Sequence, residues 1–204
     1  YPGSNKIEKG DPISLTVGYK GGLQSRCGFA VNDERELPKG QEDYLEAVVK
    51  PYFNAVKTWL ENIHVGMKGG ELYDLIEKVL PKEKYGWSLC PGHLCADEEW
   101  LSSPIYANSN EVIRSGMLFQ IDIIPSVKGY NGISCESGIF IANEQLRRDI
   151  QRDYPEIWKR ILKRRSYMIE ELGIQISEEI LPTSVAIAYC QPFLLDKNRA
   201  LKNV

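Results

Sequence analysis

Two apolar runs, residues 117–125 and 132–142, each enclose a single carboxylate, and no other feature of the chain restricts its fold as tightly. In MLFQIDIIP the two-residue period of a strand puts Leu118, Gln120, Asp122 and Ile124 on one face, with Met117, Phe119, Ile121 and Ile123 behind. In GISCESGIFIA the same count sets Ser134, Glu136, Gly138 and Phe140 against Ile133, Cys135, Ile139 and Ile141. The linker SVKGYN contains Gly129 and Asn131, both turn formers, so the runs read as neighbouring strands carrying Asp122 and Glu136 into one space. A carboxylate in so apolar a setting is costly unless a partner, a metal or a proton answers its charge. The plainer reading is an edge hairpin whose acids face water.

The remaining segments supply the frame for that pair. Residues 13–19 alternate, with Ile13, Leu15, Val17 and Tyr19 on one face and Ser14, Thr16 and Gly18 on the other; after a turn at 20–22, residues 23–31 read as a second strand. Helical spacing then runs through Tyr44, Leu45, Val48, Val49, Tyr52, Phe53, Val56, Trp59, Leu60 and Ile63, and Pro51 should kink or divide that helix. Gly69 and Gly70 introduce a second helix on Leu72, Leu75, Ile76 and Val79, ended by Pro81. An irregular loop, KYGWSLCPGHLCADEEWLSSP, precedes the acid-bearing strands. Residues 144–151 and 155–172 follow as helices, with Pro155 in a first turn and Gly173 as a C-terminal cap, and the apolar tail could pack back on the body. The order of hairpin, helices, loop, hairpin and helices predicts an α+β fold. It is expected to be one domain over residues 1–204, with 143–204 as a helical C-terminal extension packed against the rest.

Composition narrows the function. The chain is weakly acidic, with a formal net charge of −3, and the basic stretch KRILKRR lies in a helical pattern that also holds acids, so a nucleic-acid partner is not expected. No apolar run approaches the roughly 20 residues that a membrane helix needs, so no membrane partner is expected either. The cysteine count is odd, at 5, with no CxxC spacing, which points to free thiols in a reducing cytoplasm. With only 2 histidines in the chain, His93 in PGHL stands out beside Asp122 and Glu136: one imidazole and two carboxylates suit either a divalent ion or acid/base chemistry. A satisfied structural histidine is the plainer reading of His93. Cys135, on the face opposite Glu136, reads as a buried structural thiol, and Cys27, on the face of Ser25, as small apolar filler. Arg26 lies on the face opposite Ser25, and Asp97, Glu98 and Glu99 read as a solvated acidic loop.

Four ordered pieces, GDPISLTVGYKGGLQSR, CPGHLCADEEW, RSGMLFQIDIIP and GISCESGIFIA, resemble the pita-bread family of Xaa-Pro aminopeptidase, prolidase, methionine aminopeptidase and creatinase. The resemblance runs from about Gly10 to Ala142. It implies an antiparallel curved sheet with helices on one side, the family's N-terminal portion upstream of Tyr1, and a homodimer. It also implies hydrolysis of a C–N bond in a peptide or a small cationic substrate.

In the family's metallopeptidases, two aspartates, a histidine and two glutamates hold two metal ions. By position these become Thr16, Ser25, His93, Asp122 and Glu136, so both aspartates are replaced by hydroxyls. Gln24 is the less favoured occupant of the second position, and the family's second histidine falls near Glu99 or Trp100. Two divalent ions would bring four positive charges against two negative ones from Asp122 and Glu136, so no dinuclear metal site is expected. The expected cofactor is therefore none, or one divalent ion of the manganese, zinc or cobalt class on His93, Asp122 and Glu136. By analogy with metal-free creatinase, His93, Glu136 and Asp122 become the catalytic candidates, with His93 as general acid/base and the two acids holding a cationic group. Thr16, Ser25 and Trp100 become the substrate-binding candidates. An inactive relative that binds a peptide or protein in the same cleft is the alternative.

Overall fold

The computed structural model describes residues 3–20, 22–98 and 100–204. Strands β1 (Pro12–Tyr19) and β2 (Gly22–Phe29) form the expected antiparallel hairpin, with Thr16 directly opposite Ser25. Gly21, in the expected turn, lies outside the described residues. The outward side chains of β1 are left uncovered: Leu15, Val17 and Tyr19 are all exposed.

The long helix divides where Pro51 requires it. Residues Leu45–Val49 form a wide π turn that runs directly into α1 (Lys50–Asn62). Pro51 has no N–H to return to the turn before it, and the wider π spacing accommodates the missing donor. Tyr52, Val56, Trp59 and Leu60 of α1 are fully buried. Helix α2 (Gly69–Val79) begins at the glycine pair and stops before Pro81; the short α3 (Lys82–Tyr85) follows. The glycines are there for space rather than flexibility, because a Cβ at Gly69 would stand 1.8 Å from the Pro104 carbonyl oxygen.

Strands β3 (His93–Leu94), β4 (Leu118–Gln120), β6 (Gly138–Ile141) and β7 (Ile180–Pro182) make a four-stranded antiparallel sheet in the order β3-β4-β6-β7. Strand β5 (Ser134–Glu136) joins the first hairpin in a three-stranded sheet, β1-β2-β5. Two expectations are corrected here. The run 132–142 is not one strand but two, serving different sheets and parted at Ser137. The run 117–125 leaves the ladder after Gln120, so Asp122 stands just past a strand rather than inside one. Its further course is set elsewhere: Pro125 has no amide hydrogen to pair, and the Ser126 amide donates to the Tyr85 carbonyl oxygen. The alternation of faces nevertheless holds, since Phe119, Ile121, Ile123, Ile133, Cys135, Ile139 and Ile141 all lie in the core.

Helices α4 (Glu144–Asp153) and α5 (Pro155–Ser166) follow, and α5 passes into a π turn, Tyr167–Glu171, terminated at Gly173. The C-terminal region is not purely helical, because β7 completes the larger sheet. Phe193 is buried, and the Leu194 amide donates to the Phe29 carbonyl oxygen at 2.9 Å, which ties the tail to β2.

Candidate active site

The five positions singled out by sequence fall into two groups. The first is a row across the smaller sheet, where Ser25 faces Thr16 on one side and Glu136 on the other. Thr16 Oγ1 and Ser25 Oγ are 3.0 Å apart and share a hydrogen bond. The Ser134 hydroxyl, 3.2 Å from each acceptor, reaches the Ser25 carbonyl oxygen and Glu136 Oε1. The second group centres on His93, whose Nε2 lies 3.7 Å from Asp122 Oδ2. Both are buried, at 2% and 8% exposure, so each charge that forms there acts through little solvent. Trp100 lies beside the imidazole with a centroid separation of 5.4 Å and a tilt of 36°, and is itself 54% exposed.

Backbone pairing links the two groups. In the β4–β6 register Leu118 faces Phe140 and Gln120 faces Gly138; the Ile121 amide then donates to the Ser137 carbonyl oxygen at 3.1 Å. That bond sets the residue before Asp122 beside the residue after Glu136. On the other side of β4, His93 faces Gln120. Gly92, just before His93, has φ 135 and lies so close to β4 that a Cβ would come within 3.0 Å of the Gln120 carbonyl oxygen. The turn PGH thus seats the imidazole against the strand that leads to Asp122.

Arg26 has a different role from the carboxylate partner that its charge suggests. On the far face of β2, its guanidinium donates to the backbone carbonyls of Ser25 and Glu136, both at 2.7 Å, to that of Ala186, and to the Ser137 hydroxyl at 3.2 Å. It pins the point where 132–142 changes sheets. Cys135 is fully buried, and its amide donates to the Tyr52 hydroxyl at 2.8 Å. Cys27 donates to the Ser14 hydroxyl at 3.2 Å, and burial above all raises its pKa, as expected of filler rather than a nucleophile. Glu99, one of two positions for the family's second histidine, lies outside the described residues.

One neighbour of His93, Cys95, carried no signal while PGHLC read as loop, and a second, Gln120, was placed by its face but given no role. Because β3 pairs with β4, Cys95 follows His93 on the same face; its amide donates to the Leu118 carbonyl oxygen, and its sulfur lies 3.9 Å from His93 Nδ1. Gln120 shares the Asp122 face by alternation. Both Cys95 and Gln120 line a cavity of ≈ 260 Å³. A larger groove of ≈ 530 Å³ adjoins it, with Leu118 and Thr183 common to both, an apolar floor including Phe140 and Leu181, and Arg160 and Arg164 on its wall.

No protein-family model matches the chain, and no curated protein matches it in sequence. Solved structures do. A dipeptidase from Pyrococcus horikoshii OT3 superposes with a TM-score of 0.53 at 22% identity, over 68% of this chain and 38% of that one. An Xaa-Pro dipeptidase from Bacillus anthracis gives 0.54 at 22% identity, over 68% and 38%. A recombinant prolidase from Thermococcus sibiricus gives 0.55 at 18% identity, over 72% and 39%. The chain adopts the pita-bread fold. It spans about two fifths of the length of these structures.

Within the pita-bread frame, the dinuclear ligand set implied by the resemblance does not fit these residues. Where two carboxylates would be needed, Thr16 and Ser25 offer neutral hydroxyls already bonded to each other. Among the described residues, no three histidine, cysteine or acidic side chains are gathered so as to hold an ion. His93, Asp122 and Glu136 therefore do not form a ligand cluster as they stand, and their chemistry is read from the side chains themselves.

Proposed function

We propose that this pita-bread cleft hydrolyses a C–N bond of a peptide by acid/base chemistry centred on His93, with no dinuclear metal centre. The observation that carries this reading is the buried His93–Asp122 pair beside a half-exposed Trp100. Asp122 faces Nε2, where it orients the ring and stabilises the imidazolium formed when Nδ1 takes the proton of the nucleophile that adds to the carbonyl carbon. The same proton then goes to the leaving nitrogen. Glu136, in the row with Ser25 and Thr16, takes the cationic end of the substrate, and Trp100 covers the reacting bond. The adjoining apolar groove with its two arginines favours a peptide over a small amidine, since a creatine-sized molecule would leave that groove empty.

The test is turnover of Xaa-Pro peptides and of creatine-like amidines by the wild type and His93→Ala. The variant should lose on the order of 100-fold or more in kcat. Dialysis against a chelator should leave turnover unchanged. Unaltered turnover in His93→Ala would end the acid/base assignment, and activity lost to the chelator and restored by manganese or zinc would end the metal-free one. The second reading, a binding protein without catalysis, is favoured by the Thr16–Ser25 bond, which closes one side of the cleft with neutral groups. Saturable binding of an Xaa-Pro peptide with no turnover would select it.

A further inference from the structure

We propose that Cys95 is the nucleophile of this cleft, with His93 as its proton acceptor and the Gln120 side-chain amide as the donor to the developing oxyanion. This rests on reading the cleft as a hydrolase. It supplies what that reading lacks, a group to attack the carbonyl carbon.

Three observations converge. First, Cys95 Sγ lies 3.9 Å from His93 Nδ1 while Nε2 of the same ring faces Asp122 Oδ2 at 3.7 Å, so thiol, imidazole and carboxylate stand in sequence, with the base between nucleophile and orienting acid. Nδ1 also lies 3.1 Å from the Leu94 carbonyl oxygen, to which only an Nδ1–H can donate; in the tautomer that takes the thiol proton, Nε2 carries the hydrogen toward Asp122 and Nδ1 turns from that carbonyl to the sulfur, a contact that tightens on substrate binding. Second, the β3–β4 register puts Cys95, His93 and Gln120 on one face, and Cys95 and Gln120 line the same cavity. Third, Gln120 is 1% exposed, yet among the described residues its side-chain nitrogen has no hydrogen-bond partner. A buried amide N–H without an acceptor is costly, because its hydration is lost and nothing replaces it. It persists naturally where a ligand oxygen supplies the acceptor, as at an oxyanion site.

The chemistry balances within these groups. The Cys95 sulfur attacks the substrate carbonyl carbon while its proton passes to His93 Nδ1, and the oxyanion is held by the Gln120 amide. The C–N bond breaks, the amine leaves with the proton from His93, and a thioester remains on Cys95. Water attacks the thioester and gives a proton to His93, which returns it to sulfur as the acid departs. Cys135 and Cys190 have no such access, both being fully buried.

Iodoacetamide, small enough for the cavity, tests the pair without a known substrate. In peptide maps of the alkylated protein, Cys95 should react at least tenfold more slowly in His93→Gln than in the wild type, with Cys27 and Cys90 unchanged. With an Xaa-Pro peptide, acid-quenched intact mass should show an acyl adduct on the wild type that is absent from both Cys95→Ala and Cys95→Ser. Gln120→Leu should lower kcat on the order of 100-fold with KM little moved. Equal alkylation of Cys95 in His93→Gln, or wild-type turnover by the Cys95 variants, overturns the proposal. If no peptide is turned over but alkylation still depends on His93, the hydrolase reading fails while the Cys95–His93 pair stands.

Discussion

Arg26 shows how much one side chain can organise. A guanidinium presents several donors in a rigid fork, and here they satisfy carbonyl oxygens from β2, from the end of β5 and from the loop at Ala186. Two of these acceptors share the fork with a second donor, the Ser134 hydroxyl at Ser25 and the Tyr189 amide at Ala186. Replacing Arg26 by Met keeps the apolar stem and removes every donor, which should cost about 3 kcal/mol, measured as a lower urea midpoint with unchanged slope. Because the fork holds the Glu136 carbonyl, the same variant should also weaken peptide binding. The catalytic candidates work by comparable economy: His93 meets Asp122 through one ring nitrogen and Cys95 through the other.

Among the elements, close backbone approach decides more than propensity. Helix α2 starts on two glycines although glycine is a poor helix former, because residues 104–109 run directly against that first turn. Gly69→Ala should therefore destabilise the protein by about 3 kcal/mol in equilibrium denaturation; the clash with the Pro104 carbonyl outweighs the ~1 kcal/mol that alanine gains in a helix. The π turn ahead of Pro51 is the same kind of outcome, a local geometry forced by one missing donor. The split of 132–142 at Ser137 likewise comes from outside the segment, since β2 takes one half and β4 with β7 the other.

At the scale of the whole molecule, the larger of two hydrophobic clusters among the described residues includes Phe29, residues of α1 and of both sheets, and Phe193, while Ala142, Ile161 and Leu181 form a smaller one. Tyr44 and Tyr52 sit inside the larger cluster with their hydroxyls engaged, Tyr44 donating to the Gly132 carbonyl oxygen and Tyr52 accepting from the Cys135 amide. Burial, first of all, raises the pKa of both phenols. A group whose pKa is raised on folding contributes stability that is present below its unfolded value, about 10 for tyrosine, and is lost as pH climbs above that toward the folded value. Stability should thus fall steeply above about pH 10, and absorbance titration should show these two phenols ionising only together with unfolding. Ionisation of both in the intact fold would contradict it.

Much of the fold was legible along the chain. The hairpin of β1 and β2, the division of the helix at Pro51, the glycine start of α2 and the alternating faces of both acid-bearing runs all follow from local rules of period, turn chemistry and missing donors. The same alternation placed Gln120 and Asp122 on one face, and position within the resemblance picked out Thr16 and Ser25, whose pairing the structure shows. Other features depended on residues far apart in sequence. Whether Asp122 ended inside a strand was settled by Tyr85, and whether 132–142 stayed whole was settled by Arg26 and β7. Cys95 remained invisible because HLC is too short to declare itself a strand until Leu118–Gln120 lies alongside it. Sequence by itself determined which side chains share a face, since that is a property of backbone period. Only tertiary structure decided which faces meet, because the pairing partners lie far away along the chain, and that decision turned one histidine and two acids into a buried pair with a thiol at its side.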